Sequence, residues 1–317
     1  MRKTSSDRNF GYGKQMAWAG KQALRANFGD GRYNTVGSHA ERFRHFATWC
    51  KEQKQIRAAE KITREDVEAY CRSLAEQVDA EDIKVSYAIN LISSVNVTLS
   101  ALRGDDKLRV KPSSQVGSRN RTRRDPPAGL RQHDVRQCAD RLRQEGHARI
   151  AATIEVARAF GLRRREASML NARAALGQAH KRGAVNITAG TKGGRGHRVD
   201  RWVPVTPYTM QVLRRAADAQ GKARNLIEPE LSLKQWFSRL RHAWTSVRDD
   251  YGLKKFHDLR AAYACARYRE LTGHAAPVVA GRRIADLNSD RQARLTIAQE
   301  LGHGRDEVLQ SYVGGTR

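Results

Sequence analysis

Through the first hundred residues apolar positions recur at helical spacing. Val36, Ala40, Phe43, Ala47 and Cys50 share one face, and Arg42, Arg44 and Lys51 occupy others. Thr63 and Asp66 stand where a helix N-cap and its reciprocal partner belong, just before Val67, Tyr70, Cys71 and Leu74. A longer run carries Ile83, Tyr87, Leu91, Val95 and Leu102 and stops at Gly104. Short connections between these segments predict a compact antiparallel helical bundle over residues 1–104. Phe43, Phe46 and Trp49 are read as its packing aromatics, without chemistry.

From residue 105 the pattern breaks. The stretch KPSSQVGSRNRTRRDPPAG is rich in Pro, Gly and Ser, has no hydrophobic period, and carries Arg119, Arg121, Arg123 and Arg124. Residues 105–129 therefore read as a basic linker. A solvated loop is the bland interpretation; a segment lying along a phosphate backbone is the functional one. A second domain over residues 130–317 opens with a helix through Ile150, Ile154 and Ala157 that ends at Gly161, then another through Met169 and Leu170. Two β-like runs follow, 185–188 and 198–205, the latter alternating around Val199, Trp202, Val203 and Val205. The glycines of TKGGRGH between them suit a hairpin connection. Helices return from Tyr208 onward. The fold class expected is mainly α with a small β-sheet, in two domains.

Charge changes the picture more than composition does. Fifty-nine Lys and Arg against 33 Asp and Glu give a formal net charge of +26, which favours a polyanionic partner. The four cysteines are scattered without a CxxC pair, and the histidines show no metal-ligand spacing, so neither zinc nor a disulfide scaffold is expected. The N-terminal MRKTSSDRNFGYGK lacks the apolar core of a signal peptide, and no stretch approaches the roughly 18 apolar residues of a membrane span. The expectation is a cytoplasmic, nucleoid-associated protein with no membrane partner.

Four local patterns in the second domain could carry chemistry. In GLRRREASML, Gly161 closes one helix, Arg163 enters the next, and Glu166 follows three residues on. Lys192 sits at the Gly-rich hairpin tip, where an ammonium could reach into a groove and protonate an alkoxide leaving group. HDLR places His257 and Arg260 one helical turn apart, able to converge on one phosphate. In LGHGRDEVLQSYVGG, His303 precedes Tyr312 by nine positions. Each alone reads as ordinary surface side chains of a basic protein.

Together, and in this order, they are similar to the tyrosine recombinases of the phage-integrase family: GLR-x-x-E, a hairpin lysine, H-x-L-R, LGH, then a tyrosine. The resemblance covers roughly residues 130–317, and the N-terminal helices look like the family's core-binding domain. It implies duplex DNA as partner, a homo-oligomer on it (a tetramer), and it admits a DNA-bending accessory protein. Phosphoryl transfer needs an in-line nucleophile, neutralised non-bridging oxygens and a proton for the leaving oxygen. Tyr312 would attack, leaving a 3′-phosphotyrosine and a free 5′-hydroxyl, so that religation needs no ATP, metal or other cofactor. Arg163 and Arg260 would donate to the two non-bridging oxygens. Lys192 would be the general acid, His257 would assist proton transfer, His303 would hydrogen-bond the scissile phosphate, and Glu166 would orient an arginine. The two domains would enclose the duplex.

Some details depart from the family pattern. Arg163 is followed by Arg164 and Arg165, so its assignment rests on its spacing to Glu166. Ala261 stands where many members carry a second histidine, and Tyr263 is read as a packing aromatic. The stretch from Thr272 to Ala298 is longer than usual, and its GRRIADLNSDRQAR is read as a loop. Only Val313 to Arg317 follow Tyr312, too few for the helix with which many relatives dock on a neighbour, so a tetramer would need other interfaces.

The expected task is integration and excision of a mobile element; resolution of replicon dimers stays open. So do two rival readings: a type IB topoisomerase-like relaxation of DNA, which shares the chemistry, and a non-catalytic DNA-binding relative. An RNA-binding protein finds no support, since no aromatic RNA-recognition motif is present.

Overall fold

The helical period of the first hundred residues becomes four helices: α1 (Met16–Phe28), α2 (Tyr33–Gln53), α3 (Arg64–Asp79) and α4 (Val85–Arg103). The computed structural model describes residues 8–315. The chain divides into two units, Met1–Asn120 and Arg121–Arg317. The start of the N-terminal stretch read for a signal peptide, residues 1–7, lies outside the described residues.

In the first unit, Thr63 and Asp66 form the expected reciprocal cap, and Gly104 ends α4 in the left-handed conformation. Phe43, Phe46, Tyr70, Leu91 and Val95 meet in one core, with the Phe46 and Tyr70 rings edge to face at 5.0 Å. Helix α4 is long and apolar enough, by length and composition alone, to cross a membrane, which the sequence reading did not anticipate. Its Ala88, Leu91, Ile92, Val95, Leu99 and Leu102 are spent on the core of this unit.

The expected linker is partly built into the first unit. A short helix, α5 (Pro112–Val116), packs on α3 and α4, and Val110 and Val116 are buried in the core. The Asn96 amide fixes this segment by exchanging two hydrogen bonds with the Val110 backbone, at 2.7 and 3.1 Å. Two isolated valines in a polar stretch show no period, yet each finds an apolar partner once the bundle exists.

The second unit is organised around α7 (Ala148–Ala159), preceded by α6 (Gln132–Gln144). Residues Ile150 to Ala159 of α7 are all buried, so this helix is the centre of the core rather than an amphipathic cover. Its Glu155 is neutralised by Arg143 and by Arg215, the latter at 2.7 Å. Next come α8 (Arg164–Ser168), α9 (Ala172–Arg182), and the antiparallel strands β1 (Ala184–Asn186) and β2 (Trp202–Pro204). Val185 pairs with Val203. The strands are shorter than predicted because 198–200 stays exposed and irregular beyond a tight turn at Lys192–His197.

The remaining helices are α10 (Pro207–Gln220), α11 (Leu233–Val247), α12 (Phe256–Thr272), α13 (Pro277–Ala280), α14 (Leu287–Glu300) and α15 (Gln310–Val313). The stretch read as a loop thus enters α14 at Leu287, because Asp286 caps the backbone N–H groups of Asn288 and Ser289 at 3.0 Å. Behind Tyr312, Arg294 of α14 donates to the carbonyls of Gly314 and Gly315 at 3.1 and 2.9 Å. Thr316 and Arg317, the end of the short tail, lie outside the described residues.

Candidate active site

Arg260 is fully buried in α12, which is unusual for a side chain that cannot shed its charge. Every donor edge of its guanidinium is used. One nitrogen donates to the Gly161 carbonyl, and a second to the Leu301 carbonyl at 2.5 Å. Its Nε donates to the Tyr312 hydroxyl at 3.3 Å, and Nη2 lies 3.1 Å from Nε2 of His303. The hydroxyl of Tyr312 is also 3.2 Å from that same histidine nitrogen. Residues from three separate segments therefore meet at one phenolic oxygen.

The contacts fix the protonation of His303. An arginine can only donate, so Nε2 accepts and the ring proton is assigned to Nδ1. Desolvation first, then the charges of Arg260, Arg163 and Arg201, push the His303 pKa down to about 3. The imidazole is neutral at pH 7, with its acceptor nitrogen facing the phenol. His257, on the first turn of α12, has its ring centroid 5.6 Å from that of Tyr312. It keeps one side open to solvent, while desolvation of the rest and the charges of Arg260 and Arg163 lower its pKa as well.

Glu166 is the anion of the cluster, and its side chain is inaccessible to solvent. Its Oε1 is 2.6 Å from Arg163, while Oε2 is 2.9 Å from Arg201 and 3.6 Å from Arg260. Burial alone would raise its pKa, but Arg201, Arg260 and Arg163 together outweigh that and leave it lowered. The same carboxylate accepts the Arg163 backbone N–H at 2.8 Å, capping α8. Of the three consecutive arginines, Arg163 faces this site. Arg164 stacks on Phe237 at 4.3 Å, and Arg165 is exposed.

A cavity of about 370 Å³ opens in front of the cluster and brings together Arg163, Glu166, Lys192, Arg201 and His303. Lys192 enters it from the exposed turn between the strands. Of the linker arginines, Arg119, Arg121 and Arg124 are exposed, and Arg119 bonds Asn90 at 3.0 Å. Arg123 differs. Its guanidinium is engaged by Asp258 at 2.8 Å and by the Asp125 carbonyl, and its backbone N–H bonds Gln310, two residues before Tyr312. Its position argues for anchoring the chain rather than presenting a cation. Tyr263 packs as expected and adds a 2.7 Å hydrogen bond to Glu300.

Residues 128–266 match the integrase family. Over that stretch, somewhat under half of its length, the chain is similar to the integrase family. DNA binding and recombination are the activities of that family. The match takes in Arg163, Glu166, Lys192, His257 and Arg260, while His303 and Tyr312 lie beyond it. The chain also shares its fold with the Tn1549 transposon integrase, solved in complex with transposon right-end DNA. That likeness has a TM-score of 0.57 at 12% identity and covers 94% of each chain. No curated protein matches.

Sequence reasoning missed Arg201, which is 5% exposed and pairs with Glu166. A signal was present: Arg201, just before β2, is in phase with Val203 and Val205 in the alternating run. It also missed the part played by Gly161, whose carbonyl receives Arg260. Gly161 has φ +60°, and a Cβ there would lie 2.5 Å from Tyr263 and 2.6 Å from Leu301. Gly161→Ala is therefore expected to cost about 2–4 kcal/mol, combining overpacking with left-handed strain. A shift in the urea unfolding midpoint measures this, and a change under 0.5 kcal/mol, roughly a neutral surface substitution, would contradict it.

Proposed function

We propose that this protein is a site-specific recombinase that cuts and rejoins duplex DNA through a 3′-phosphotyrosine at Tyr312. One observation carries the reading: the Tyr312 hydroxyl is held between Arg260, a permanent cation, and His303, a neutral acceptor. A phenol needs to lose a proton as it attacks, and the acceptor nitrogen is already in place.

In the proposed step the Tyr312 oxygen bonds to phosphorus and the bond from phosphorus to the 5′ oxygen breaks. The phenolic proton passes to Nε2 of His303, and Lys192 supplies a proton to the departing 5′ oxygen. Arg163 and Arg260 stabilise the non-bridging oxygens as charge builds on them. The arriving phosphate offsets the arginine charges that depress His303, raising its basicity as the substrate binds. His257 assists proton movement from the outer side of the ring. Glu166 keeps Arg163 aimed at the cavity. The chemistry needs no metal, since the guanidiniums supply the positive charge. A tetramer on two duplexes, integration and excision of a mobile element, and work on nucleoid DNA in the cytoplasm complete the proposal.

The test is a suicide substrate, nicked so that religation cannot follow cleavage, incubated with the protein in EDTA. An SDS-resistant adduct whose peptide mass maps to Tyr312 is the expected result. No adduct across a library of genomic fragments, despite salt-sensitive DNA binding, would overturn it in favour of a non-catalytic relative. Relaxation of supercoiled plasmid without site preference would instead favour the topoisomerase-like activity.

A further inference from the structure

We propose that Arg201 is a positioning residue for strand cleavage, keeping Glu166 from capturing Arg260 while seating the turn that carries Lys192. The inference rests on the recombinase reading above and assigns a part to a residue outside the five motifs.

The case begins with a mismatch between residue and place. Arg201 immediately precedes β2, in phase with the buried Val203, where the pattern asks for an apolar side chain. A buried ion pair is often no more stabilising than an apolar residue of similar volume. Stability is thus a weak reason for an arginine here, and its contacts offer a better one. Nη1 lies 2.9 Å from Oε2 of Glu166, and Nε donates to the Glu300 carbonyl at 2.7 Å. Nη2 reaches the Gly161 carbonyl at 3.5 Å, an oxygen that also receives Arg260. The backbone of Arg201 accepts from Ile187 and donates to the Asn186 side chain, both at 2.9 Å, closing the base of the turn that carries Lys192.

Competition for one oxygen gives the mechanism. Oε2 of Glu166 is nearer Arg201, at 2.9 Å, than Arg260, at 3.6 Å. With Arg201 gone, the nearest remaining guanidinium on that oxygen is Arg260, which would have to loosen its present hydrogen bonds to close on it. Closing the gap would turn the Arg260 fork towards Glu166 and away from the phenolic oxygen, where a phosphate must be met. A displacement of about 1 Å at such a group costs on the order of 100-fold in rate.

The experiment measures single-turnover cleavage of the suicide substrate at saturating DNA, alongside DNA affinity and thermal unfolding. Arg201→Met is expected to slow cleavage roughly 10- to 100-fold while affinity changes by no more than about threefold. Arg201→Lys, which keeps a cation for Glu166 but cannot also reach Glu300, should recover part of the rate. In a Glu166→Gln background the Arg201→Met effect should largely vanish, because the charged oxygen it guards is absent. A purely structural role would multiply the two losses and would not be rescued by lysine. Wild-type cleavage by folded Arg201→Met, or full multiplicativity with Glu166→Gln, overturns the proposal. If Arg201→Met does not fold, Arg201→Lys and the cycle built with it decide the matter: a wild-type rate in Arg201→Lys overturns it. Absence of an adduct with the wild-type protein would sink the recombinase reading and this inference together. An adduct with unaffected variants would sink only the inference.

Discussion

Tyr312→Phe is expected to abolish covalent attachment to DNA, lowering cleavage by roughly 10⁴-fold or more, as removal of a nucleophile does. The substitution deletes one oxygen and leaves the ring, which is 4% exposed and packed beneath Arg260 and between His257 and His303. The fold therefore keeps its packing and loses only two hydrogen bonds, to Arg260 and His303. DNA affinity should persist, because it is supplied by the +26 excess of basic side chains acting on phosphates. Gel-shift titrations at several salt concentrations, run beside the adduct assay, separate the two quantities. An adduct in the phenylalanine variant would place the nucleophile elsewhere. Equal loss of binding, in a protein that still unfolds cooperatively, would show the hydroxyl holding the fold rather than serving chemistry.

Glu166→Gln carries the second large effect, on stability. The carboxylate is shared by Arg163, Arg201 and Arg260, all within 3.6 Å. Removing its charge leaves buried guanidiniums without their anion, at a cost of about 3–5 kcal/mol. That is a large part of the 5–15 kcal/mol typical of a folded domain, so the urea midpoint should fall sharply. The same site gives the sign of a pH dependence. The folded-state pKa of Glu166 lies below its ordinary value of 4.5, so the folded protein binds fewer protons than the unfolded chain in this range. Stability from this group is fully present above pH 4.5 and is lost as pH falls through the lower folded value. His303 acts in the same direction: with a folded pKa of about 3 against 6.5, its contribution is lost between those values on acidification. Together they predict a protein that weakens below about pH 6 through His303 and more steeply below pH 4.5, where Glu166 adds to it. Glu166→Gln should flatten the acid end of that curve, and an unchanged curve would contradict the assignment.

Much of this was legible in the chain. The capping pair Thr63 and Asp66, the stop at Gly104 and the two short strands depend on neighbours within a few residues, so local rules suffice. The family resemblance singled out Arg163, Lys192, His257, Arg260, His303 and Tyr312; in the fold Arg163, Lys192 and His303 line one cavity, and Arg260, His303 and His257 lie around the Tyr312 ring. Other features were hidden for the opposite reason. Val110 and Val116 gave no period, and they became core only because α3 and α4 present an apolar surface to them. Arg123 looked like any other linker cation until Asp258, far along the chain, claimed it at 2.8 Å.

The sequence by itself determined most of the helices, the Thr63–Asp66 cap and the residue types able to move a phosphoryl group, because these follow from short-range periodicity and side-chain chemistry. Only the tertiary structure decided which arginine of three meets Glu166, which histidine nitrogen accepts, and that Arg201 joins the cluster. Those outcomes depend on distances between segments up to about a hundred residues apart, such as the Gly161 carbonyl and Arg260. They depend equally on the desolvation that burial imposes, and neither quantity is written in local spacing.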